Sequence, residues 1–470
     1  MICNDSTIRE MKPQMRRVAF HNLGCKVNSY ELDVIRQQFL HAGYIDVPFS
    51  EIADIYIINT CTVTNIADRK SRQMLHRARK ENPGALVVAV GCYVETDPEK
   101  VKMDEAIDLA MDNRAKRHCL AHVEAFLRER EQSESGLLQK IITENAPAAS
   151  PNAGNLSPRP EEELTLPTRT RADIKIQDGC NQFCSYCIIP YARGRILSRD
   201  EDEILQEIRT LAGQGTAEVV LAGIHVSSYG KDRGEAPEKA LLRLLTRIQM
   251  LAGISRIRLS SLEPRIMTEE FVSGISRLSK LCPHFHLSLQ SGCDKTLKEM
   301  NRHYTTAEYM ESVERLRKYF DTPAITTDII TGFPGETEED FAQTLAFAKA
   351  VGFYEIHVFK YSRREGTPAA ARKDQVPDEE KTKRSAALLA LTERQAQAFR
   401  AQFIGQEEEL LAEETVTIDG SSFLSGHTKR YVRGLIKLRD GETAPRPGSL
   451  IRGIFEDPVE GEDALMFKTR

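Results

Sequence analysis

Residues 172–187 read ADIKIQDGCNQFCSYC, an apolar strand that runs directly into three closely spaced cysteines, Cys180, Cys184 and Cys187. Packing alone gives no reason to repeat cysteine so tightly, so the run indicates a metal site. Structural zinc sites are usually closed by four ligands from paired elements, and the chain has no second CxxC pair. Iron–sulfur clusters are held by closely spaced thiolates, and three thiolates leave one iron open. The spacing favours such a cluster, with zinc as the alternative.

The length and composition set the class of protein. A chain of 470 residues exceeds one ordinary core, and its 41% hydrophobic and 28% charged residues suit several globular domains. No apolar run approaches the ~20 residues that span a bilayer, and no signal peptide is visible, so we expect a cytoplasmic protein without a membrane partner. Ten cysteines in such a chain indicate metal or redox chemistry. The net charge of −5 leaves any nucleic acid to local basic patches.

The pattern of strands and helices changes three times along the chain. Alternating apolar strands and amphipathic helices over residues 16–127 predict a doubly wound α/β domain. The Pro-rich segment 128–168 predicts a linker. Six strand–helix units in residues 169–403 predict a partial (βα)6 barrel, closed by a long helix at roughly 377–403. Short alternating segments with Gly turns in residues 404–470 predict a small antiparallel β-barrel.

A second trio of cysteines shares a position relative to the predicted strands. Cys25, Cys61 and Cys92 each follow an apolar strand, in NLGC, NTC and VGC. Ligand sites of open parallel sheets form outside the carboxyl ends of the strands, so these thiols can converge. Chance burial of free cysteines is the alternative. The other cysteines are isolated and are predicted not to be ligands: Cys3, Cys119, Cys282 and Cys293.

The motifs resemble a known family over nearly the whole chain. CNQFCSYC resembles the radical S-adenosylmethionine signature CxxxCxΦC, with Tyr186 as its aromatic residue. NLGCKVNSYE, INTCTVTNIADRKSRQ, VAVGCYVE, GIHVSSYG and HLSLQSGCDKTLKEMNR resemble the methylthiotransferases, and residues 404–470 resemble their TRAM domain. Within that family, GCKVN and NTCTVT are most similar to the branch that modifies threonylcarbamoyladenosine in tRNA.

This resemblance implies two 4Fe–4S clusters, one on Cys25, Cys61 and Cys92 and one on the 180–187 run. It implies that S-adenosylmethionine binds the open iron of the second cluster and is cleaved to a radical. A methylthio group would then be added to carbon 2 of threonylcarbamoyladenosine, beside the anticodon of tRNA. The resemblance also implies a flavodoxin or ferredoxin type electron donor, a sulfur source and a monomer.

Other functions stay open. Within the family, the substrate could instead be isopentenyladenosine in tRNA or a ribosomal protein. From another class, the chain could be an RNA-binding protein without catalysis, whose metal ions only stabilise its domains.

Three polar residues lie at or near the carboxyl ends of predicted barrel strands: Glu263, Gln290 and Asp328. The resemblance makes them, together with Tyr186, candidate contacts of S-adenosylmethionine, whereas capping of the next helix is the alternative. The stretch GFPGETEEDF lacks the Lys of a phosphate loop. It predicts a turn and a helix start, with Thr337 as the cap and Asp340 three residues later.

Basic residues supply the candidate substrate contacts. Arg193 and Arg195 follow the cysteine run and could neutralise a carboxylate or phosphate, with solvation at the surface as the alternative. In the C-terminal segment, Tyr431 could stack on a base. Its basic neighbours are expected to contact RNA: Lys429, Arg430 and Arg433. A second basic stretch follows Cys61, with Arg69, Lys70, Arg72, Arg77, Arg79 and Lys80. Solvated charge is the ordinary explanation of such runs.

Overall fold

The structure is a computed structural model that describes residues 16–132, 139–143, 170–439 and 441–469. These residues form two compact units, which are divided between residues 148 and 149. Residues 63–65 are the exception and group with the second unit. Among the described residues, no helix is both long and apolar enough to cross a bilayer.

The first unit alternates strands and helices. Its elements are β1 (Arg17–Asn22), α1 (Lys26–His41), β2 (Ile45–Val47), β3 (Ile55–Thr60), α2 (Asn65–Glu81), β4 (Leu86–Gly91), α3 (Cys92–Thr96), α4 (Pro98–Lys102), β5 (Leu109–Met111), α5 (Cys119–Gln132) and β6 (Lys140–Ile142). Within the described residues, the six strands pair in parallel in the order β2-β1-β3-β4-β5-β6. Every residue of β3 and β4 is buried, because the sheet is covered on both faces. The predicted doubly wound α/β fold is confirmed.

The linker predicted at 128–168 was wrong over its first part. Helix α5 continues to residue 132, and strand β6 adds to the edge of the sheet, with Lys140 opposite Leu109 of β5. The reason is that Ile141 and Ile142 pack against opposite faces of the sheet, so this short apolar segment is held by burial. The rest of the predicted linker, from residue 144, lies outside the described residues.

The second unit begins with a barrel of strand–helix units. Its elements are β7 (Arg171–Asp178), α6 (Ile189–Arg193), β8 (Leu197–Ser198), α7 (Glu201–Gly213), β9 (Glu218–Gly223), α8 (Pro237–Gln249), β10 (Arg256–Leu259), α9 (Glu269–Ile275), β11 (His284–His286), α10 (Asp294–Glu299), α11 (Thr306–Tyr319), β12 (Ala324–Thr331), α12 (Glu338–Val351), β13 (Glu355–Lys360), α13 (Pro368–Ala371) and α14 (Asp378–Ala401). Parallel pairing joins β7, β9 and β10, and likewise β11, β12 and β13. Parallel bridges such as Leu262 to Leu287 connect the two sheets. The predicted partial (βα)6 barrel is confirmed over the described residues.

The barrel strands have one apolar and one polar face. Ile174, Ile176 and Ile329 belong to the core that packs against the helices. Successive side chains of a strand point to opposite faces. Lys175, between Ile174 and Ile176, and Asp328, directly before Ile329, therefore lie on the inner face. A polar inner face suits a ligand better than it suits a filled apolar core.

The C-terminal strands close into a small barrel. They are β14 (Glu407–Ile418), β15 (Ser421–His427), β16 (Arg433–Lys437), β17 (Leu450–Pro458) and β18 (Leu465–Thr469). Within residues 404–439 and 441–469, the closed order is β14-β15-β16-β18-β17. The predicted small antiparallel barrel is confirmed over these residues, with one parallel pair, β16 and β18. A closed ring of five strands cannot alternate direction throughout, so at least one neighbouring pair must be parallel.

An ion network covers the amino end of the (βα)6 barrel. Arg171, Glu218 and Arg256 are direct neighbours on three adjacent strands. Glu218 is buried and accepts hydrogen bonds from Nε of Arg171 at 2.9 Å and Nε of Arg258 at 2.7 Å. Burial by itself raises the pKa of Glu218, but the guanidinium groups of Arg258 and Arg171 outweigh it and lower the pKa. Arg258 also donates to the carbonyl of Lys429, so the small barrel closes this end and the carboxyl end is left for a site.

Candidate metal centres

The first cysteine trio lies where the sequence predicts it, at the carboxyl ends of neighbouring strands. Cys25, Cys61 and Cys92 follow β1, β3 and β4, which are adjacent in the sheet. Thr60 and Gly91 are paired across β3 and β4, so the cysteines that follow them are neighbours. Cys61 and Cys92 are buried, whereas Cys25 is exposed.

A glycine allows the first cysteine to approach the second. Gly24 has a φ of +109°, and a Cβ added to it would stand 2.9 Å from Sγ of Cys61. The chain that carries Cys25 therefore packs directly against Cys61, at a position that only glycine fills without a clash. Three thiols gathered in this way fit a cluster held by cysteine thiolates.

Polar groups hold these cysteines in place. The hydroxyl of Ser71 accepts a hydrogen bond from the backbone N–H of Cys61 at 3.1 Å and donates to its carbonyl at 3.2 Å. Cys25 lies at the N-terminus of α1, where the helix dipole favours a thiolate. Nδ2 of Asn113 lies 3.9 Å from Sγ of Cys92 and donates to it.

A buried ion pair orients that asparagine. Nζ of Lys116 lies 2.6 Å from a carboxylate oxygen of Glu31 and 2.8 Å from Oδ1 of Asn113, and both charged residues are buried. Because Oδ1 of Asn113 accepts from Lys116, its Nδ2 is left to donate to Cys92. The sequence analysis missed these residues, since Lys116 reads as an ordinary surface lysine in a polar segment.

The second trio occupies one compact loop after β7. The backbone N–H of Cys180 donates to the carbonyl of Gly194 at 3.0 Å, and that of Cys187 donates to the carbonyl of Cys184 at 2.9 Å. Phe183 has a φ of +49°, in the left-handed region that non-glycine residues rarely adopt. The loop is therefore held in an unusual conformation between its first two cysteines.

The loop buries Cys184 and partly buries Cys180 and Cys187, and this burial affects the pKa of their thiols. It raises the pKa of Cys180 to about 11 and that of Cys187 to about 12. At neutral pH these groups become thiolates when a cation or cluster is bound to them, because metal ligation displaces the proton. Nη1 of Arg302 donates to Sγ of Cys184 at 3.3 Å and adds a positive charge at the same place. This donor set fits an iron–sulfur cluster.

Side chains from distant elements fix the loop from outside. Nδ2 of Asn301 donates to the carbonyls of Gln182 at 3.1 Å and Phe183 at 3.0 Å. Nε2 of Gln182 donates to Glu263 at 2.9 Å. The sequence analysis did not assign a role to Asn301 or Gln182, although both lie in stretches that carry the family resemblance.

Glu263 is the centre of a hydrogen-bond network beside the loop. Besides Gln182, it accepts from Nε2 of His225 at 2.9 Å and from Nε of Arg265 at 2.8 Å. Burial by itself raises the pKa of Glu263, but the hydrogen bonds from His225 and Arg265 outweigh it and lower the pKa to about 2. The carboxylate is therefore ionised and fixed by the chain's own donors. Its contact with S-adenosylmethionine stays a prediction.

The inner face of the barrel carries a second polar group. Asp328 pairs with His357 across β12 and β13, and its Oδ2 lies 3.3 Å from Nε2 of His286 on β11. The ligand atoms of the three residues lie within 4.8 Å of one another. Asp328 lies three residues before the last residue of β12, near the carboxyl end of the strand as predicted. Gln290 pairs its backbone with β12, and its side-chain amide makes no hydrogen bond within the described parts of the chain.

Tyr186 lies on the apolar side of the cysteine loop. It packs with Met300, Phe333 and Tyr361 in a small hydrophobic cluster. This contact anchors the loop against the segment that follows β12. A direct contact of Tyr186 with S-adenosylmethionine stays a prediction.

Arg193 and Arg195 are engaged at the base of the loop. Nη1 of the buried Arg193 lies 3.1 Å from Oδ1 of Asp178, at the end of β7. The guanidinium of Arg195 lies 4.6 Å from the ring centroid of Phe183. Both side chains therefore help to hold the cysteine loop, and their predicted contact with a substrate anion stays a prediction.

Tyr431 differs most from its predicted role. Its ring lies between two guanidinium groups, 5.1 Å from that of Arg171 and 4.8 Å from that of Arg258, and stacks on His427 at 4.5 Å. These contacts occupy the faces on which a base would stack. An aromatic residue among basic residues gives the same sequence pattern whether it faces RNA or an internal ion network. The sequence therefore could not distinguish the two environments.

The basic neighbours of Tyr431 are engaged within the same unit. Lys429 donates to the carbonyl of Ser279 at 2.8 Å. Arg430 lies 2.9 Å from a carboxylate oxygen of Glu408, and Arg433 lies 2.8 Å from one of Glu462. Their contacts hold the small barrel together and attach it to the (βα)6 barrel, which gives them a structural role, and their contact with RNA stays a prediction.

Both cysteine trios lie in segments that match known family profiles. The profile of the Radical SAM superfamily matches residues 174–348, and that of the uncharacterized protein family UPF0004 matches residues 17–112. The chain is 39% identical over 428 residues to the threonylcarbamoyladenosine tRNA methylthiotransferase MtaB of Bacillus subtilis, covering 90% of this chain and 91% of that protein. The chain belongs to the radical SAM methylthiotransferase family. A tRNA-2-methylthio-N(6)-dimethylallyladenosine synthase of Clostridium botulinum is 33% identical over 417 residues, covering 86% of this chain and 88% of that protein.

A solved structure shares the fold. The radical S-adenosylmethionine methyltransferase TsrM of Kitasatospora setae, with cobalamin and a [4Fe-4S] cluster bound, matches with a TM-score of 0.54. The match covers 76% of this chain and 77% of that chain at 18% identity, so it concerns the fold alone. This radical SAM methylthiotransferase uses S-adenosylmethionine and two 4Fe–4S clusters. That its two cysteine trios provide the thiolates for them stays a prediction.

Proposed function

We propose that this methylthiotransferase adds a methylthio group to carbon 2 of threonylcarbamoyladenosine beside the anticodon of tRNA. The observation that carries the proposal is the presence of two three-thiol sites, one in the loop after β7 and one at the carboxyl ends of β1, β3 and β4. The choice of nucleoside is supported by relatives named threonylcarbamoyladenosine tRNA methylthiotransferase, which are 34–39% identical to this chain.

The chemistry of the target explains the need for a radical. A C–H bond on an aromatic adenine carbon has no acidity that a general base could use. A cluster held by Cys180, Cys184 and Cys187 would supply the electron for cleavage of S-adenosylmethionine, and a cluster held by Cys25, Cys61 and Cys92 would carry the sulfur. The protein's part is to hold the three thiols in one loop, which Gln182 and Asn301 fix from outside.

The polar inner face of the barrel supports binding of a polar ligand there. Asp328, His286 and His357 form one group of hydrogen-bonding side chains, and the amide of Gln290 has its donors and acceptor unused by the described chain. A base that reaches these residues must first leave the stack of its loop, as enzymes that modify bases require.

Further partners belong to the same proposal. The phosphates of tRNA would meet the exposed basic side chains of α2, which are Arg69, Lys70, Arg77 and Lys80. Reduction would come from a flavodoxin or ferredoxin type protein, and sulfur from a separate source. We further propose that the enzyme acts as a monomer in the cytoplasm.

Iron content and product analysis test the proposal together. Anaerobically purified protein should hold about eight irons with matching sulfide, and Cys180/184/187→Ala should hold about four. In a strain that lacks the gene, the wild-type chain should restore 2-methylthio-threonylcarbamoyladenosine in digested tRNA, whereas Cys184→Ala should not. Formation of that nucleoside by Cys184→Ala would contradict the proposal. Zinc without sulfide would favour the non-catalytic RNA-binding protein.

The same digest separates the substrates within the family. Restoration of a methylthio group only on isopentenyladenosine would assign the chain to the other tRNA branch. No change in any tRNA nucleoside would point to a protein substrate.

A further inference from the structure

Arg302 is a cation placed against the cysteine loop, and no described carboxylate lies within ion-pair distance of it. Its Nη1 donates to Sγ of Cys184 at 3.3 Å, and its Nε donates to the hydroxyl of Tyr304 at 3.0 Å. The hydroxyl of Tyr304 is fixed in turn by the carbonyls of Ser288 and Leu289, at 2.6 and 2.8 Å. No ion pair of Arg302 with a carboxylate occurs among the residues that the structure describes.

Two other arginines near the loop are paired with carboxylates. Arg193 is paired with Asp178 at 3.1 Å, and Arg265 with Glu263 at 2.8 Å. A guanidinium keeps its charge at any pH that a protein tolerates, and a partly buried charge is unfavourable unless an anion lies beside it. Arg302 instead directs Nη1 at Sγ of Cys184, 3.3 Å away, and the carboxylate of Glu263 acts on it only from beyond ion-pair distance.

We propose that Arg302 is a positioning residue that raises the reduction potential of the cluster held by Cys180, Cys184 and Cys187. The inference rests on the proposed function for the presence of that cluster. Reduction adds one electron, and hence one negative charge, without making or breaking a bond to Arg302. A fixed positive charge and an N–H···S hydrogen bond both stabilise the more negative state, and hydrogen bonds to sulfur are among the factors that set such potentials.

The rigid hold on Arg302 is part of the argument. Tyr304 receives the Nε hydrogen bond, and its ring lies 4.9 Å from the guanidinium. The charge is therefore kept at one place relative to Cys184 and does not move out to solvent. A flexible surface arginine would be screened by water and would affect the potential much less.

The test is a redox titration of the cluster in full-length protein. A background with Cys25/61/92→Ala leaves one cluster, which is reduced with dithionite and followed by electron paramagnetic resonance. Arg302→Gln removes the charge at similar size, and Arg302→Lys keeps it. Arg209→Gln removes an exposed charge on the outer helix α7 and serves as the matched control.

We expect Arg302→Gln to make reduction at least tenfold less favourable, a fall of about 59 mV for one electron. Arg302→Lys should lie between Arg302→Gln and the parent protein, and Arg209→Gln should equal the parent. An unchanged potential in Arg302→Gln with full iron content would overturn the inference while leaving the proposed function intact.

Iron content decides the case in which Arg302→Gln does not keep its cluster. Retention of iron by Arg302→Lys alone would support a requirement for the charge. Loss of iron from both variants would assign Arg302 a purely structural role and overturn the inference. Absence of an iron–sulfur cluster from the parent protein itself would overturn the proposed function, an outcome that the parent's iron analysis separates from the others.

Discussion

Gly24 lies against Cys61 so closely that a Cβ added at Gly24 would stand 2.9 Å from Sγ of Cys61. The φ of Gly24 is +109°, a conformation that side chains rarely adopt. The approach of Cys25 to Cys61 therefore depends on the absence of one side chain. This relationship connects a backbone requirement to the assembly of a metal centre.

Gly24→Ala should reduce the iron content from about eight to about four per chain, because the added methyl group displaces Cys61 from the first cysteine trio. Iron and acid-labile sulfide of anaerobically reconstituted protein measure this. Gly43→Ala is the matched control, since Gly43 also has a positive φ of +85° but a Cβ there meets no atom within 4 Å. If Gly43→Ala lost as much iron as Gly24→Ala, backbone strain and not the contact with Cys61 would be the cause.

Glu31→Gln should destabilise the first unit by about 3–5 kcal/mol, because it leaves the buried ammonium of Lys116 without its charged partner. Urea unfolding followed by circular dichroism measures the change. The double variant Glu31→Leu/Lys116→Met should lose less stability than Glu31→Gln alone, since it buries no unpaired charge. A double variant that is no more stable than the single one would contradict this account of the pair.

Glu218→Gln should loosen the junction between the small barrel and the (βα)6 barrel. Removal of this carboxylate leaves Arg171, Arg256 and Arg258 crowded together with too little negative charge between them. We expect a loss of about 3–5 kcal/mol and faster proteolysis near the start of β14. Glu270→Gln, at an exposed position of α9, is the control and should be neutral. Equal stability of the two variants would mean that the network is dispensable.

Asp340 should make the stability of α12 depend on acid pH. The structure confirms the predicted capping box of Thr337 and Asp340. Burial by itself raises the pKa of Asp340, but the hydrogen bonds from Lys295 and Thr337 outweigh it and lower the pKa to about 2. Because the folded pKa lies below the unfolded one, the stabilisation is fully present above about pH 4 and is lost as the pH falls through about 2.

Asp340→Asn should therefore cost about 1 kcal/mol at pH 7, the value being modest because Lys295 is half exposed and screened. The difference from the wild type should shrink between pH 4 and pH 2 in urea titrations of the metal-free protein. Glu339→Gln, at the exposed neighbouring position, should show no such pH dependence. A constant difference across that range would exclude Asp340 as the titrating group.

The positions of the six candidate cysteine ligands could be predicted because the sequence patterns that mark them are local. Closely spaced thiols in CNQFCSYC and a cysteine after each of three apolar strands are patterns with few other uses. The strands themselves were predictable from apolar runs, since burial on both faces demands them. The sequence analysis did not predict strand β6, because a strand of three residues is too short to show an alternating pattern.

The contact partners of charged residues could not be predicted from local sequence patterns. Tyr431 and its basic neighbours match an RNA surface as well as they match an internal ion network, and only the packing of two barrels distinguishes them. Lys116 reads as a surface lysine until Glu31, 85 positions away, is found beside it.

The sequence by itself determined the order of the elements, the two cysteine trios and the family of this protein, because periodicity and ligand spacing are local properties of the chain. Only the tertiary structure decided which side chains surround those cysteines. Arg302 lies 118 positions from Cys184 along the chain, yet its guanidinium is 3.3 Å from the sulfur. Electrostatic effects depend on distance in space, which the fold sets, and not on separation along the chain.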